Sequence, residues 1–151
     1  MSEPGAKEAL TDALEALVEG DGDMGELADS IAFLTAYLNA FAAPGFVCAM
    51  VPIPPNPAGE YEGVGGVAKA WSDWGATFET VHGEAIEIID GPDTVVLFVN
   101  QIAVTKHGGV EISQPSAILV KFRDGLASRL EFHLDREAAL RAGGLERPAG
   151  A

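Results

Sequence analysis

The stretch that most constrains the fold is Val110 to Arg136, which reads VEISQPSAILVKF, then RDG, then LASRLEFHLDR. Two long strands joined by a tight turn fit it best. Asp124-Gly125 is a strong hairpin signal, because such turns need positive φ and Gly adopts it without strain. Side chains alternate along a strand, so Val110, Ile112, Gln114, Ser116, Ile118, Val120 and Phe122 share one face. Glu111, Ser113, Lys121 and Arg123 share the other. The apolar face must be covered, and the remaining segments supply the cover.

Ala6 to Val18 places Leu10, Ala13, Leu14, Leu17 and Val18 at helical spacing along one stripe. Gly20-Asp21-Gly22-Asp23 interrupts it. A calcium loop starting at Asp21 is excluded, because its fifth, sixth and twelfth positions are Gly25, Glu26 and Ala32. A turn is expected instead, with Asp23 capping the next helix and Glu26 completing a capping box. That helix is predicted over Gly25 to Ala43, with Leu27, Ile31, Leu34, Leu38 and Phe41 in a row and Phe33 and Tyr37 beside it. Pro44-Gly45 ends it. Phe46 to Val51 reads as a short strand, and Pro52 to Gly59 as a loop whose prolines remove amide donors. Gly63 to Ala68 formally matches a dinucleotide-binding pattern, but no βαβ repeat surrounds it. A helix is predicted here, with Val67, Trp71, Trp74 and Phe78 pointing one way as core.

Strands follow. Gly83 to Ile89 alternates, Asp90-Gly91-Pro92-Asp93 turns, and Thr94 to Thr105 is apolar on both faces. A strand of that kind is covered on both sides. Helices provide one cover; a second subunit is the expected other, with Ala117 and Leu119 extending the patch. Lys106 to Gly109 turns into the central hairpin. A short helix over Arg136 to Ala142 should stop at Gly143-Gly144, with Leu145 folding back. Residues 1–5 and 146–151 are expected to be loose.

The totals narrow the function. A chain of 151 residues with 48% apolar content is expected to form a single domain over residues 1–151 with its own core. A net charge of -14 argues against nucleic-acid and anionic-membrane partners, which need a basic footprint. Cys48 is the only cysteine, so no intrachain disulfide forms. The N-terminal residues lack the basic start and apolar run of a signal peptide, and no segment is apolar enough to span a bilayer. A cytoplasmic location is the resulting expectation.

Helices, a strand, another helix and a run of antiparallel strands make an α+β plan, with helices gathered on one face of a curved sheet. In GEYEGVGGVAKAWSDW, the EIIDGPDTVVLFV strand pair and the ending FRDGLASRLEFHLDREAALRAGGL, the chain resembles the SnoaL-like branch of the nuclear transport factor 2-like superfamily. That superfamily includes the ketosteroid isomerases and limonene-epoxide hydrolases. The resemblance implies a cone-shaped, mostly antiparallel sheet wrapped around three N-terminal helices, with a short C-terminal helix. It also implies a pocket at the open end and pairing of two copies through the outer sheet face. Fold alone does not assign an activity.

Laid against the limonene-epoxide hydrolases without gaps, their Asp-Arg-Asp set falls on Gln101, Val99 and Phe132, and their water-holding Tyr and Asn on Cys48 and Met50. No group able to protonate an epoxide or activate water is retained. The same alignment implies that Cys48, Met50, Val99, Gln101 and Phe132 face the pocket. Tyr37, Trp71, Trp74 and Ile118 complete the expected lining. The isomerases' carboxylate base and Tyr–acid oxyanion hole find no clear counterparts. His133 and Asp135 lie two apart on one strand face and offer a base with an orienting acid, as in the polyketide cyclases that name the branch. The simpler reading makes Asp135 the N-cap of the last helix, with His133 on a charged, solvent-facing side beside Arg129 and Glu131. No spacing suggests a metal site, and no cofactor is implied. The expected function is an apolar pocket for a polyketide-, steroid- or terpene-like molecule. The alternatives are a cyclase or isomerase using Asp135 and His133, and a non-catalytic dimeric module whose pocket its own side chains fill.

Overall fold

The central hairpin forms as its sequence predicts. Strand β6 spans Glu111–Arg123 and β7 spans Leu126–His133. Asp124 and Gly125 between them have φ of 55° and 80°, the consecutive positive values that match the twist of paired strands. The structure, a computed structural model, describes residues 5–51, 59–76 and 78–145. The proline-rich loop expected at Pro52–Gly59, Gly59 excepted, lies outside the described residues. So do the ends expected to be loose, Gly5 excepted.

Around the hairpin the chain runs α1 (Ala6–Glu19), β1 (Asp23–Glu26), α2 (Leu27–Phe41), β2 (Ala42–Val51), β3 (Gly59–Glu62), α3 (Gly65–Gly75), β4 (Phe78–Asp90) and β5 (Thr94–Thr105). Helix α4 (Arg136–Ala142) follows β7. One seven-stranded sheet has the order β1-β4-β5-β6-β7-β2-β3. Neighbours are antiparallel except β2 and β7, which are parallel. Register shifts at Ala85/Glu87 in β4, at Lys121/Phe122 in β6 and within β2 sharpen the twist. The sheet therefore curves strongly.

Its inner face carries Val95, Leu97 and Val99 of β5, Ile118 and Val120 of β6, and Leu130 and Phe132 of β7. These pack against Leu10, Leu14, Leu34, Leu38, Val67 and Trp71 from the first three helices. A second, smaller core lies on the outer face. There Val96, Phe98, Ala117 and Leu119 meet Ala139 and Leu140 of α4, with Leu145 folded back over them. The Leu145 N–H donates to the Leu140 carbonyl at 2.8 Å. The cover expected from a second subunit is supplied over this patch by the same chain. Ala117 and Leu119 are fully buried within it.

Helix α4 is pinned at its start. Asp135 Oδ1 accepts the Glu137 N–H at 3.0 Å, so Asp135 is the N-cap. The Arg136 guanidinium donates to the carbonyls of Ser116 and Val99 and to Asn100 Oδ1, and lies 5.1 Å from the Phe98 ring centroid.

Other boundaries differ from expectation. The segment Asp23–Glu26 pairs with β4, so α2 begins at Leu27 and not Gly25. Its cap moves with it: the Glu26 N–H donates to Asp29 Oδ2 at 2.9 Å, while Asp23 accepts from Gly25 N–H and stands 2.9 Å from His82 Nε2. Pro44-Gly45 does not terminate α2; it sits inside β2, where the pairing with β7 skips from Ala42 to Val47. Strand β3 was not foreseen. Phe78 opens β4 and is not on α3. Val110 precedes β6 and is 57% exposed, and Ile112 is 39% exposed, so the apolar face of the hairpin is covered only from Ser116 onward.

Candidate functional site

Helices α1 and α2 do not close on the sheet along their whole length. Between them lies a cavity of about 420 Å³. Its floor is Val95 and Leu97 of β5 with Ile118 and Val120 of β6, the middle of the inner sheet face. Leu10, Leu14 and Leu17 of α1 and Leu34 of α2 form the walls, and Met24 of β1 closes one end. Ala13 and Ala16 of α1 and Ser30 of α2 also line it, small side chains that reach less far into the space than the leucines beside them. Phe33 at the rim is 45% exposed. Asp23 and Asp29 are the charged residues that line it, and Ser30 turns its hydroxyl toward the Met24 carbonyl at 3.5 Å.

The residues expected to line the pocket mostly lie elsewhere. Ile118 alone is part of the α1–α2 cavity. Trp71, Trp74 and Phe132 pack on one another instead, with ring centroids 5.4 Å apart in both Trp–Phe132 pairs and Phe78 5.3 Å from Trp74. Aromatic rings at these separations fill space with favourable edge contacts. Val99 and Cys48 are fully buried beside them. Met50, Trp74 and Phe132 line a second hollow of about 320 Å³ together with Tyr61 and Asp73. Gln101 is also buried, paired in register with Gly83 and with Gln114, and does not line the α1–α2 cavity. Tyr37 ties α2 to α1: its hydroxyl donates to the Ala6 carbonyl at 2.5 Å, and burial raises its pKa.

Burial pushes the Cys48 thiol up to about 12. A thiol held protonated is a small apolar filler and no nucleophile. The buried indole N–H of Trp71 has no hydrogen-bond partner among the described residues.

His133 and Asp135 are not brought together as a base and its acid. Asp135 is occupied by the helix cap, as the simpler reading held. His133 Nε2 instead stands 2.7 Å from Glu131 Oε1. Arg129 Nε donates to Glu131 Oε2 at 2.5 Å and its Nη2 reaches Glu60 Oε2 at 2.8 Å. The hydrogen bond from His133, followed by that from Arg129, lowers the Glu131 pKa to about 2. The side expected to face solvent is buried: Glu131 is 7% and His133 3% exposed. The reason is register. His133 pairs with Ala117 and Glu131 with Leu119, the outer positions that α4 covers. His133 Nδ1 is left without a partner among the described residues, and neither hollow includes this imidazole.

Sequence reasoning missed the α1–α2 cavity. The apolar stripe of α1 contains one small residue, Ala13, and no periodic pattern marks Ala16 or Ser30 as lining a cavity. Among the described residues no group of three or more His, Cys, Asp or Glu is placed to hold a metal ion. None of their helices is long and apolar enough to cross a membrane.

No protein-family model and no curated protein sequence matches the chain. Solved structures do. A proposed SnoaL-like polyketide cyclase from Jannaschia sp. CCS1 is similar at 13% identity and a TM-score of 0.58, over 98% of this chain and 100% of that one. An NTF2-like protein of unknown function from Burkholderia pseudomallei K96243 is similar at 15% identity and 0.54, over 92% and 97% of the two chains. A protein with a ketosteroid isomerase-like fold from Catenulispora acidiphila DSM 44928 is similar at 16% identity and 0.50, over 74% and 83%. The chain has the ketosteroid isomerase-like, NTF2-like fold, with SnoaL-like proteins among its structural neighbours.

Proposed function

We propose that this chain binds a small hydrophobic molecule, of polyketide-, steroid- or terpene-like character, in the cavity between α1 and α2. One observation carries the reading: a hollow of about 420 Å³ with a mostly apolar lining. That volume is within the ~300–1,000 Å³ typical of small-molecule sites, which are mostly apolar with few polar groups. Covering the aliphatic floor with a ligand stabilises the complex by roughly 25 cal/mol for each Å² of apolar surface removed from water.

The cyclase or isomerase reading through Asp135 and His133 has less support. Asp135 serves the α4 cap, and His133 is paired with Glu131 on the opposite side of the sheet from the cavity. Acid–base work needs a group within hydrogen-bond reach of the reacting atoms. The vestigial-pocket reading draws on the packed Trp71, Trp74 and Phe132, but these fill a different part of the cone.

Calorimetric titration with decan-1-ol, together with native mass spectrometry of anything extracted from the purified protein, tests the proposal. Saturable one-to-one binding is expected, and Ala16→Trp, which adds bulk at the cavity rim, should abolish it while far-UV circular dichroism stays native. Binding that survives Ala16→Trp, or no binding by the native protein, would overturn it.

A further inference from the structure

The rim of the cavity is charged in one sense only. Asp23 and Asp29 line it, and among the described residues no basic side chain does. The asymmetry extends well beyond the rim. From Lys7 to Lys69 the sequence contains no Lys, Arg or His, while α1 and α2 and the segment between them carry Glu8, Asp12, Glu15, Glu19, Asp21, Asp23, Glu26 and Asp29. Lys7 itself is engaged by Asp90. His82 Nε2 stands 2.9 Å from Asp23 Oδ1.

Each rim carboxylate keeps acceptor capacity. Asp23 Oδ1 takes the Gly25 N–H and faces His82 Nε2, while Asp29 Oδ2 takes the Glu26 N–H. A carboxylate offers about four lone-pair sites on two oxygens, so these contacts leave room for a ligand's donor. Below the rim the wall is hydrocarbon. A low-dielectric cleft lined by one sign of charge concentrates its field at the opening and enriches ligands of the opposite sign.

We propose that the α1–α2 cavity selects apolar molecules bearing a positively charged head, a hydrophobic amine or quaternary ammonium, with the tail against Val95, Leu97, Ile118 and Val120 and the head at Asp23 and Asp29. This rests on the reading of the cavity as a binding site and adds the sign of the ligand's charge. Anionic amphiphiles are rejected at the same rim.

The test compares three probes with one decyl tail, decyltrimethylammonium, decan-1-ol and decanoate, titrated below their micelle-forming concentrations at pH 8 and low salt. The cation should bind about three- to tenfold more tightly than the alcohol, as expected for ion pairing at a partly exposed rim, and decanoate more weakly than either. Raising the salt to about 0.5 M should narrow the gap by screening. The double variant Asp23→Asn, Asp29→Asn keeps acceptor oxygens for the local turns and should bring the cation-to-alcohol ratio close to one. Equal affinities for the three probes in the native protein would overturn the charge selection and leave the cavity reading standing. Failure of all three to bind would remove both.

Discussion

At the scale of single residues, two carboxylates four positions apart in the chain, Glu131 and Asp135, do unlike jobs. Asp135 satisfies a free amide at the start of α4. Substituting Asp135→Ala should cost about 1 kcal/mol of folding stability, and Asp135→Asn, also a good cap, much less. Urea denaturation of the two variants measures this, and neither should change decan-1-ol binding, because Asp135 lies outside the cavity. Glu131 is the other case. Its folded pKa of about 2 is below the ordinary 4.5, so the folded state holds the ionised form more strongly than the unfolded chain does. The stability this contributes is complete above the unfolded value and is lost as pH falls from there toward the folded one. Stability measured at pH steps from 6 to 2 should therefore drop more steeply in the native protein than in Glu131→Gln. The variant should also be less stable at pH 6, because it leaves Arg129 and His133 without their shared anion.

At the scale of elements, α4 is a short helix with a large role. It buries Ala139 and Leu140 on the outer face and shields Val96, Phe98, Ala117 and Leu119 from water. Leu140→Ala should lower stability by about 2–5 kcal/mol, the usual cost of truncating a buried leucine, read as a shift of the urea midpoint. Much of this layer was legible. The Asp135 cap, the Gly143-Gly144 stop, the return of Leu145 and the two-faced burial of β5 follow from local spacing alone. What the hydrophobic pattern could not say was which cover belonged to which face. A strand greasy on both sides demands two covers, and a seven-residue helix far along the chain looks too small to be one. The His133 face misled for a related reason: Arg129, Glu131 and His133 read as wet until their mutual pairing lets them be buried. Strand β1 and the shifted α2 cap were hidden because Asp23 to Glu26 carries no strand pattern. It is recruited by the edge of β4.

At the scale of the whole molecule, the account describes a curved sheet holding two separate packings on its concave side. In one, Trp71, Trp74, Phe78 and Phe132 pack on one another beside a hollow of about 320 Å³ that Met50, Trp74 and Phe132 help to line. The other stays open between α1, α2 and the middle of the inner sheet face. The resemblance carried the fold, and of the residues expected to line a pocket Met50, Trp74 and Phe132 line the second hollow while Ile118 lines the first. Fold follows from the order and period of elements, whereas a cavity follows from which few residues are too small to touch. The measurement that tests this most directly is NMR of the methyl and tryptophan indole N–H signals of the native protein titrated with decan-1-ol. The account predicts saturable shifts at Leu14, Leu34, Val95, Leu97, Ile118 and Val120, with the Met50 methyl and the Trp74 indole unmoved. Shifts confined to Met50 and Trp74, or no saturable shifts anywhere, would contradict it.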